Sequence, residues 1–241
     1  MNSRAGLVAA AHRSYIGSFG KLVEHSANGE LHAVGPVFAF VTGLPMSLFN
    51  GSVVVERTTA AQLGEALNWL SQRGLPYQVS IAEELTSALE QVVIAHGLQQ
   101  EPALYPAMVL HPIPEPPDPA PAVTVVPGRD PGLASYLPES FAADPDVRVF
   151  TAWLDERPVG TSIAIRTGDV AGVYGVGTIP EARRRGVGTA ISWAAVAAGR
   201  AWGCQTIALQ ATEMGMPVYA SMGFRTVARY AMFTNAHPHR R

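Results

Sequence analysis

The sequence is poor in charge. Asp, Glu, Lys and Arg make up 15% of its 241 residues, against about a quarter in an ordinary folded domain. With 48% hydrophobic residues, that excludes a chain left disordered for want of a core. It leaves length enough for one large domain or two small ones. Cysteine is all but missing. Cys204 stands alone, which excludes an intramolecular disulfide, a Cys-x-x-Cys motif and a cysteine-held metal cluster. A single cysteine fits a reducing compartment. Long apolar runs are missing too, since none reaches the roughly 18 residues of a membrane span. The stretch Leu7–Ala11 ends at His12 and Arg13, too short for a signal peptide. The expectation is a soluble cytoplasmic protein with no membrane partner. Lysine is reduced to Lys21, against 16 arginines. That bias runs through the whole chain, so it reads as compositional and carries no functional meaning.

What charge there is lies unevenly. The formal net charge is −2. Residues 171–241 nevertheless hold eight arginines against Glu181 and Glu213, a balance of +6, and the other 170 residues carry −8. A basic C-terminal third on an acidic body points to an anionic ligand at that end.

Pro112, Pro114, Pro116, Pro117, Pro119 and Pro121 crowd one short stretch. No helix or central strand tolerates that density, so 112–121 reads as an extended linker between halves 1–111 and 122–241. In the second half, strands are expected at Ala122–Val126, Val147–Leu154, Val159–Ile165, Val170–Thr178, Thr206–Gln210 and Phe224–Phe233. Asp130 and Pro131 read as the cap and first residue of a helix to Phe141. Further helices are expected at Gly188–Trp202, stopped by Gly203, and Met216–Met222, stopped by Gly223. The first half ends in a similar series: a strand at Val53–Val55, a helix at Ala60–Ser71, a strand at Tyr77–Ile81, a helix at Leu85–Ala95 and a strand at Leu104–Leu110. Gly74 and Gly203, Gly97 and Gly223, and Tyr105 and Tyr230 are 129, 126 and 125 residues apart. Near-constant offsets suggest two copies of one α/β unit.

The stretch that carries chemistry is Val173-Tyr-Gly-Val-Gly-Thr-Ile-Pro-Glu-Ala-Arg-Arg-Arg-Gly-Val-Gly-Thr-Ala190. A strand runs into a loop of glycines and three arginines, and the loop opens a long helix. Glycines let successive N–H groups turn inward. The helix start adds unpaired N–H groups and the positive end of its dipole. Together they make a phosphate or pyrophosphate site, with arginines for the outer oxygens. The loop lacks the Gly-Lys-Ser/Thr of a Walker A motif and does not space its glycines as a dinucleotide fingerprint does.

It resembles the acetyl-CoA loop of the GNAT acetyltransferase superfamily, whose pattern is Arg or Gln, two residues, Gly, any residue, Gly or Ala. Arg183, Arg184, Arg185, Gly186, Val187 and Gly188 fill that pattern. Thr178-Ile179-Pro180 matches the family's V-x-P with Thr for Val. Tyr219, Gly223 and Phe224 match its tyrosine and Gly-Phe pair. The resemblance covers 122–233. It implies an α/β (mixed α+β) GNAT fold, a central mostly antiparallel sheet flanked by helices, with two GNAT-like units in tandem. It further implies an acetyl-CoA-dependent N-acetyltransferase, without a metal, in which a small-molecule or protein amine attacks the thioester directly. Val176 and Thr178 would pair with pantetheine amides, and a nearby N–H, that of Val176, would stabilise the oxyanion. The N–H groups of Arg185 to Thr189 would cradle the pyrophosphate, and Tyr219 would protonate the departing thiolate.

The general base is not evident. The strand 170–178 has no carboxylate, only Tyr174. Glu213 ranks ahead of Glu139 and Asp144, and all three read more simply as surface charges. Thr212 stands where the family often has Asn. Without an identified base, a CoA-binding sensor that has lost catalysis is the alternative. Cys204 reads as a small buried residue. His237 and His239, beside Arg240 and Arg241, read as a frayed terminus. A nucleic-acid partner is not expected, because the arginine cluster lacks interleaved aromatics. In the first half, Glu56-Arg-Thr-Thr-Ala-Ala-Gln-Leu-Gly64 stands between strand and helix without the Arg-x-x-Gly-x-Gly pattern. That copy is expected to be degenerate and unable to hold CoA this way. Pro45 to Asn50 form an apolar loop suited to lining an acceptor cleft.

Overall fold

Apolar runs punctuated by left-handed glycines set most of the elements. The computed structural model describes residues 3–117 and 123–235, so His237 and His239 lie outside the described residues. The chain divides into two compact units that interleave in sequence: Met1–Ser18 with Ala107–Val227, and Phe19–Pro106 with Ala228–Arg241. Among the described residues no helix is long and apolar enough to cross a membrane.

In the second of these units, β1 (Glu30–Val34), β2 (Val37–Val41), β3 (Asn50–Val54) and β4 (Gln78–Ala82) form a sheet with helices α2 (Ala60–Ser71) and α3 (Glu83–Ala95). The first helix, α1 (Arg4–Glu24), contributes residues to both units. Strands β3 and β4 pair in parallel, and the other pairings are antiparallel. Every residue of β3 and β4 is buried, as a strand covered on both faces requires. Leu63, Ala66, Leu67 and Leu70 put one stripe of α2 into a core with Val37, Ala39, Val79 and Ile81. Thr59 and Gln62 close a reciprocal capping box at the start of α2.

The loop 42–49 hangs on one buried side chain. Asn50 is fully buried. Its Oδ1 accepts the Thr42 N–H at 3.0 Å, and its Nδ2 donates to the carbonyls of Leu44, Met46 and Pro76 at 2.7, 3.0 and 3.1 Å. Replacing Asn50 by Ala would remove all four of these bonds, including the one accepted from the buried Thr42 N–H. Thermal and denaturant unfolding should show a loss of about 2 kcal/mol. An unchanged midpoint would mean that water takes over the bonds.

The first unit holds β6 (Thr124–Pro127), α4 (Glu139–Ala143), β7 (Val147–Leu154), β8 (Arg157–Thr167), β9 (Val170–Thr178), α5 (Val187–Ala201), β10 (Thr206–Gln210) and α6 (Met216–Ser221). Its strands run in the order β6-β7-β8-β9-β10, antiparallel except where β9 meets β10 in parallel. Helix α5 lays Val187, Ile191, Ala195 and Val196 on this sheet. It comes close because Gly199 has no side chain: a methyl there would lie 2.4 Å from Ile207 Cδ1 and 2.7 Å from Ala171 Cβ.

Each unit takes its last strand from the far end of the other half of the sequence. Residues 107–110 of β5 (Gln99–Leu110) pair antiparallel with β10. Residues 230–234 of β11 (Arg225–Thr234) pair antiparallel with β4. The order strand–helix–strand–helix is the same in β3-α2-β4-α3 and β9-α5-β10-α6.

One expected helix does not form. From Pro131 to Pro138 the chain is irregular, and only Glu139–Ala143 is helical. Asp130 does cap: its Oδ1 accepts the N–H of Gly132 and of Leu133 at 2.9 and 3.2 Å. Gly132 weakens the following turn. Pro138 denies a helical N–H and biases Leu137 away from the helical region. The sequence reading also missed α1, β1 and β2.

Candidate active site

The site is built where β9 leaves its neighbour. The parallel pairing of β9 with β10 runs only from Val170↔Thr206 to Gly172↔Ala208. Beyond that point β10 stays paired with β5 as far as Gln210. Residues 173–178 continue along β8 with no pairing to β10, so a gap opens between β9 and β10.

On its other edge β9 carries a bulge. Thr161 stands opposite Gly177 and Ile163 opposite Tyr174, so Ser162 faces both Gly175 and Val176. Gly175 has φ +56°, the left-handed residue that such a bulge takes as glycine. The bulge shifts the side-chain alternation by one residue. Ala171 and Val173 pack with α5, and so does Val176 in place of residue 175. An extra residue in one strand leaves its polar groups out of the ladder, here beside half-buried Val176 at the open gap.

The strand ends at Thr178, and the loop that follows makes two left-handed turns, at Arg184 (φ +62°) and Gly186 (φ +81°). Gly186 is the N-cap of α5, and among the described residues no side chain caps that helix. The first helical N–H bond is that of Ala190 to the Gly186 carbonyl. The amides of Val187, Gly188 and Thr189 therefore have no partner within the helix. Thr178 Oγ1 borders this turn, 3.9 Å from where a methyl at Gly188 would sit. The three guanidinium groups are exposed. Arg183 Nε donates to the Thr178 carbonyl at 3.3 Å, and Arg185 pairs with Asp155 at 3.3 Å. Both partners of that pair are exposed, so its contribution to stability is small. Free amides at a positive helix end, with three arginines, suit a pyrophosphate by the chemistry of the donor set. The corresponding helix start in the other unit is different: α2 is capped by its own Thr59 and Gln62, and β3 pairs with β4 through Val54↔Ile81, its last residue.

Tyr219 lies on α6, in the core of the same unit. Its ring meets Phe224 edge-on at 5.8 Å, and Gly215 lies against Cε2, where a methyl would come within 3.1 Å. Burial raises its pKa above 10, with the Ser192 hydroxyl pulling the other way, so the phenol stays protonated at neutral pH. Gly223, at φ +93°, ends α6, and the Phe224 N–H returns to the Tyr219 carbonyl at 3.0 Å.

Glu213 is exposed just past the end of β10. Glu139 is exposed and 3.8 Å from Arg129. Asp144 Oδ1 accepts the Asp146 N–H. Cys204 is buried, and desolvation raises its pKa.

Tyr174 and Tyr136 were not assigned roles from the sequence. Tyr174 points to the face of β9 away from α5, where its hydroxyl is 2.8 Å from Ser14 Oγ of α1, and burial raises its pKa strongly. The Tyr136 hydroxyl reaches the bulge itself. The pairings involved span 160 residues in one case, and no local pattern announces them.

Residues 116–224 match the Acetyltransferase (GNAT) family. The structure is similar over nearly its whole length to a GCN5-related N-acetyltransferase from Kribbella flavida, with TM-score 0.68, 19% identity and coverage of 95% of this chain and 97% of that one. It is similar to a GCN5-related N-acetyltransferase from Sphaerobacter thermophilus, with TM-score 0.58, 17% identity and coverage of 96% and 91%. It is also similar to a tandem GNAT protein from the clavulanic acid biosynthesis pathway, with TM-score 0.56, 14% identity and coverage of 87% and 83%. At these identities the likeness is one of fold. No curated protein matches the chain in sequence.

Proposed function

We propose that this chain, which carries a GNAT acetyltransferase domain over residues 116–224, is an N-acetyltransferase that uses acetyl-CoA as donor and a small-molecule or protein amine as acceptor. One observation carries the reading. The gap beside residues 173–178, the bulge at Gly175–Val176 and the uncapped start of α5 follow one another along a single stretch of chain.

Bound acetyl-CoA supplies an activated thioester. The residues of the chain hold and polarise it. The amides of Val187, Gly188 and Thr189, with Arg183, Arg184 and Arg185, take the pyrophosphate. Val176 and Thr178 offer backbone groups to the pantetheine amides along the open edge of β9. The Val176 N–H donates to the thioester oxygen as the amine attacks, and the Tyr219 phenol holds the proton that the departing sulfur receives.

Acetyl-CoA at a hundredfold excess over its Kd should stabilise the protein by about 2.7 kcal/mol, which raises the melting temperature by about 5–10 °C for a chain of this size. Free CoA should then appear on addition of a panel of primary amines. Stabilisation without CoA release over the whole panel would assign the chain as a CoA-binding sensor. No stabilisation would remove the reading altogether.

A further inference from the structure

The irregular segment that replaces the expected helix at 131–138 is pinned at several points. Asp130 caps it. Arg129 donates to the carbonyls of Ala134 and Leu137 at 3.4 and 3.1 Å, and the Thr151 hydroxyl holds the Gly128 carbonyl at 2.9 Å. Ala134 and Leu137 are buried on either side of half-buried Tyr136. A loop so fixed presents its side chain in one place.

That place is the bulge. A methyl at Gly175 would lie 3.0 Å from Ile163 Cδ1 and 3.5 Å from the Tyr136 hydroxyl. Ile163 is the partner of Tyr174 across the β8–β9 pair, so Tyr136 approaches β9 from the face opposite α5. Gly175 stands one residue before Val176, where the gap to β10 is already open.

We infer that Tyr136 contacts the acceptor: its phenolic oxygen accepts an N–H of the incoming amine at the bulge and so turns the nitrogen lone pair toward the thioester carbon. The inference rests on the N-acetyltransferase reading. Burial keeps the phenol neutral by raising its pKa, so Tyr136 orients the amine and does not deprotonate it. A phenolic oxygen that already has one partner retains a lone pair for a second. The missing side chain at Gly175 leaves the room that the nitrogen occupies.

The test uses CoA and a bisubstrate probe in which the CoA sulfur is joined through –CH2–CO–NH– to a butyl group, with binding to the whole chain measured by calorimetry. The wild type should bind the probe more tightly than CoA. Tyr136→Phe keeps the ring and loses only the oxygen. It should bind CoA as the wild type does and weaken the probe about three- to tenfold, the worth of one neutral hydrogen bond. A probe that gains nothing over CoA in the wild type would overturn the inference, as would a Tyr136→Phe variant that keeps the full gain. A variant with lower affinity for both ligands would also overturn it, since that pattern marks a structural role. Failure of CoA itself to bind the wild type is a separate result and removes the underlying reading.

Discussion

Tyr219→Phe should lower kcat by about two to three powers of ten, the range for loss of a positioned proton donor, and leave the affinity for acetyl-CoA unchanged. The ring environment makes this a clean substitution. Phenylalanine keeps the edge contact with Phe224 and the fit against Gly215, so the stability change should stay within about 1 kcal/mol. The rival account is that Tyr219 is a core residue whose ring packs α6 onto its unit. It predicts unchanged turnover, and single-turnover kinetics decide between the two. The pH profile gives a second check. A phenol whose pKa is raised by burial stays protonated through neutral pH, so a descending limb due to Tyr219 lies above pH 10. A limb near neutrality would belong to another group. In the variant the high-pH limb should vanish with the rate.

How much of this was written locally in the chain varies by element. The bounds Val147–Leu154, Val170–Thr178, Thr206–Gln210 and Ala60–Ser71 agree between sequence and structure, because apolar runs or helical spacing are closed there by turn residues. Helix α1 was opaque for a physical reason. Its buried stripe runs Leu7, Ala10, Ala11, Ser14, Tyr15, Ser18 and Phe19, so two serines stand at inward positions where apolar residues would give the period away. Those serines have partners: Ser14 reaches the Tyr174 hydroxyl and Ser18 the Tyr15 carbonyl. The exchange of β5 and β11 between the units is a long-range pairing, which no window of sequence contains. The loop at 183–188 was legible because a phosphate site of this kind is made from consecutive residues. The Tyr136 contact was not, because it joins a loop to a strand bulge about forty residues later, and the helix expected at 131–141 would have faced it differently.

The two halves use the same order of elements and differ where a phosphate would sit. In α2 a capping box takes up the N–H groups of Thr59 and Gln62, whereas among the described residues no side chain caps α5, and three exposed arginines precede it. A capping box and a bound pyrophosphate compete for the same amides. The strands agree with this. The β3–β4 pairing closes to the end of β3, and the β9–β10 pairing stops after three residue pairs. Arg183, Arg184 and Arg185 of the basic stretch 171–241 stand just before the helix start that is open. Glu56 stands before α2 in the half whose helix start is closed.

Arg185→Glu separates the binding role of this loop from its structural one. Among the described residues Arg185 pairs with exposed Asp155 alone. An exposed pair contributes about 0–1 kcal/mol, and its reversal to two acids costs a similar amount, so the melting temperature without ligand should move by no more than a few degrees. Toward a pyrophosphate the change is larger. A charge-assisted hydrogen bond worth about 1.5–3 kcal/mol is lost, and a repelling carboxylate takes its place beside the N-terminus of α5. Acetyl-CoA affinity should fall by about a hundredfold. The two effects also respond differently to salt. Wild-type affinity should weaken as ionic strength rises, because exposed arginines act on the phosphates across screened solvent. The variant should lose much of that dependence. Calorimetric titrations at low and high salt read both quantities. Full affinity in Arg185→Glu would mean that the free amides of α5 hold the phosphates without this side chain. Lost affinity with a matching loss of stability would mean that the loop's fold was the casualty.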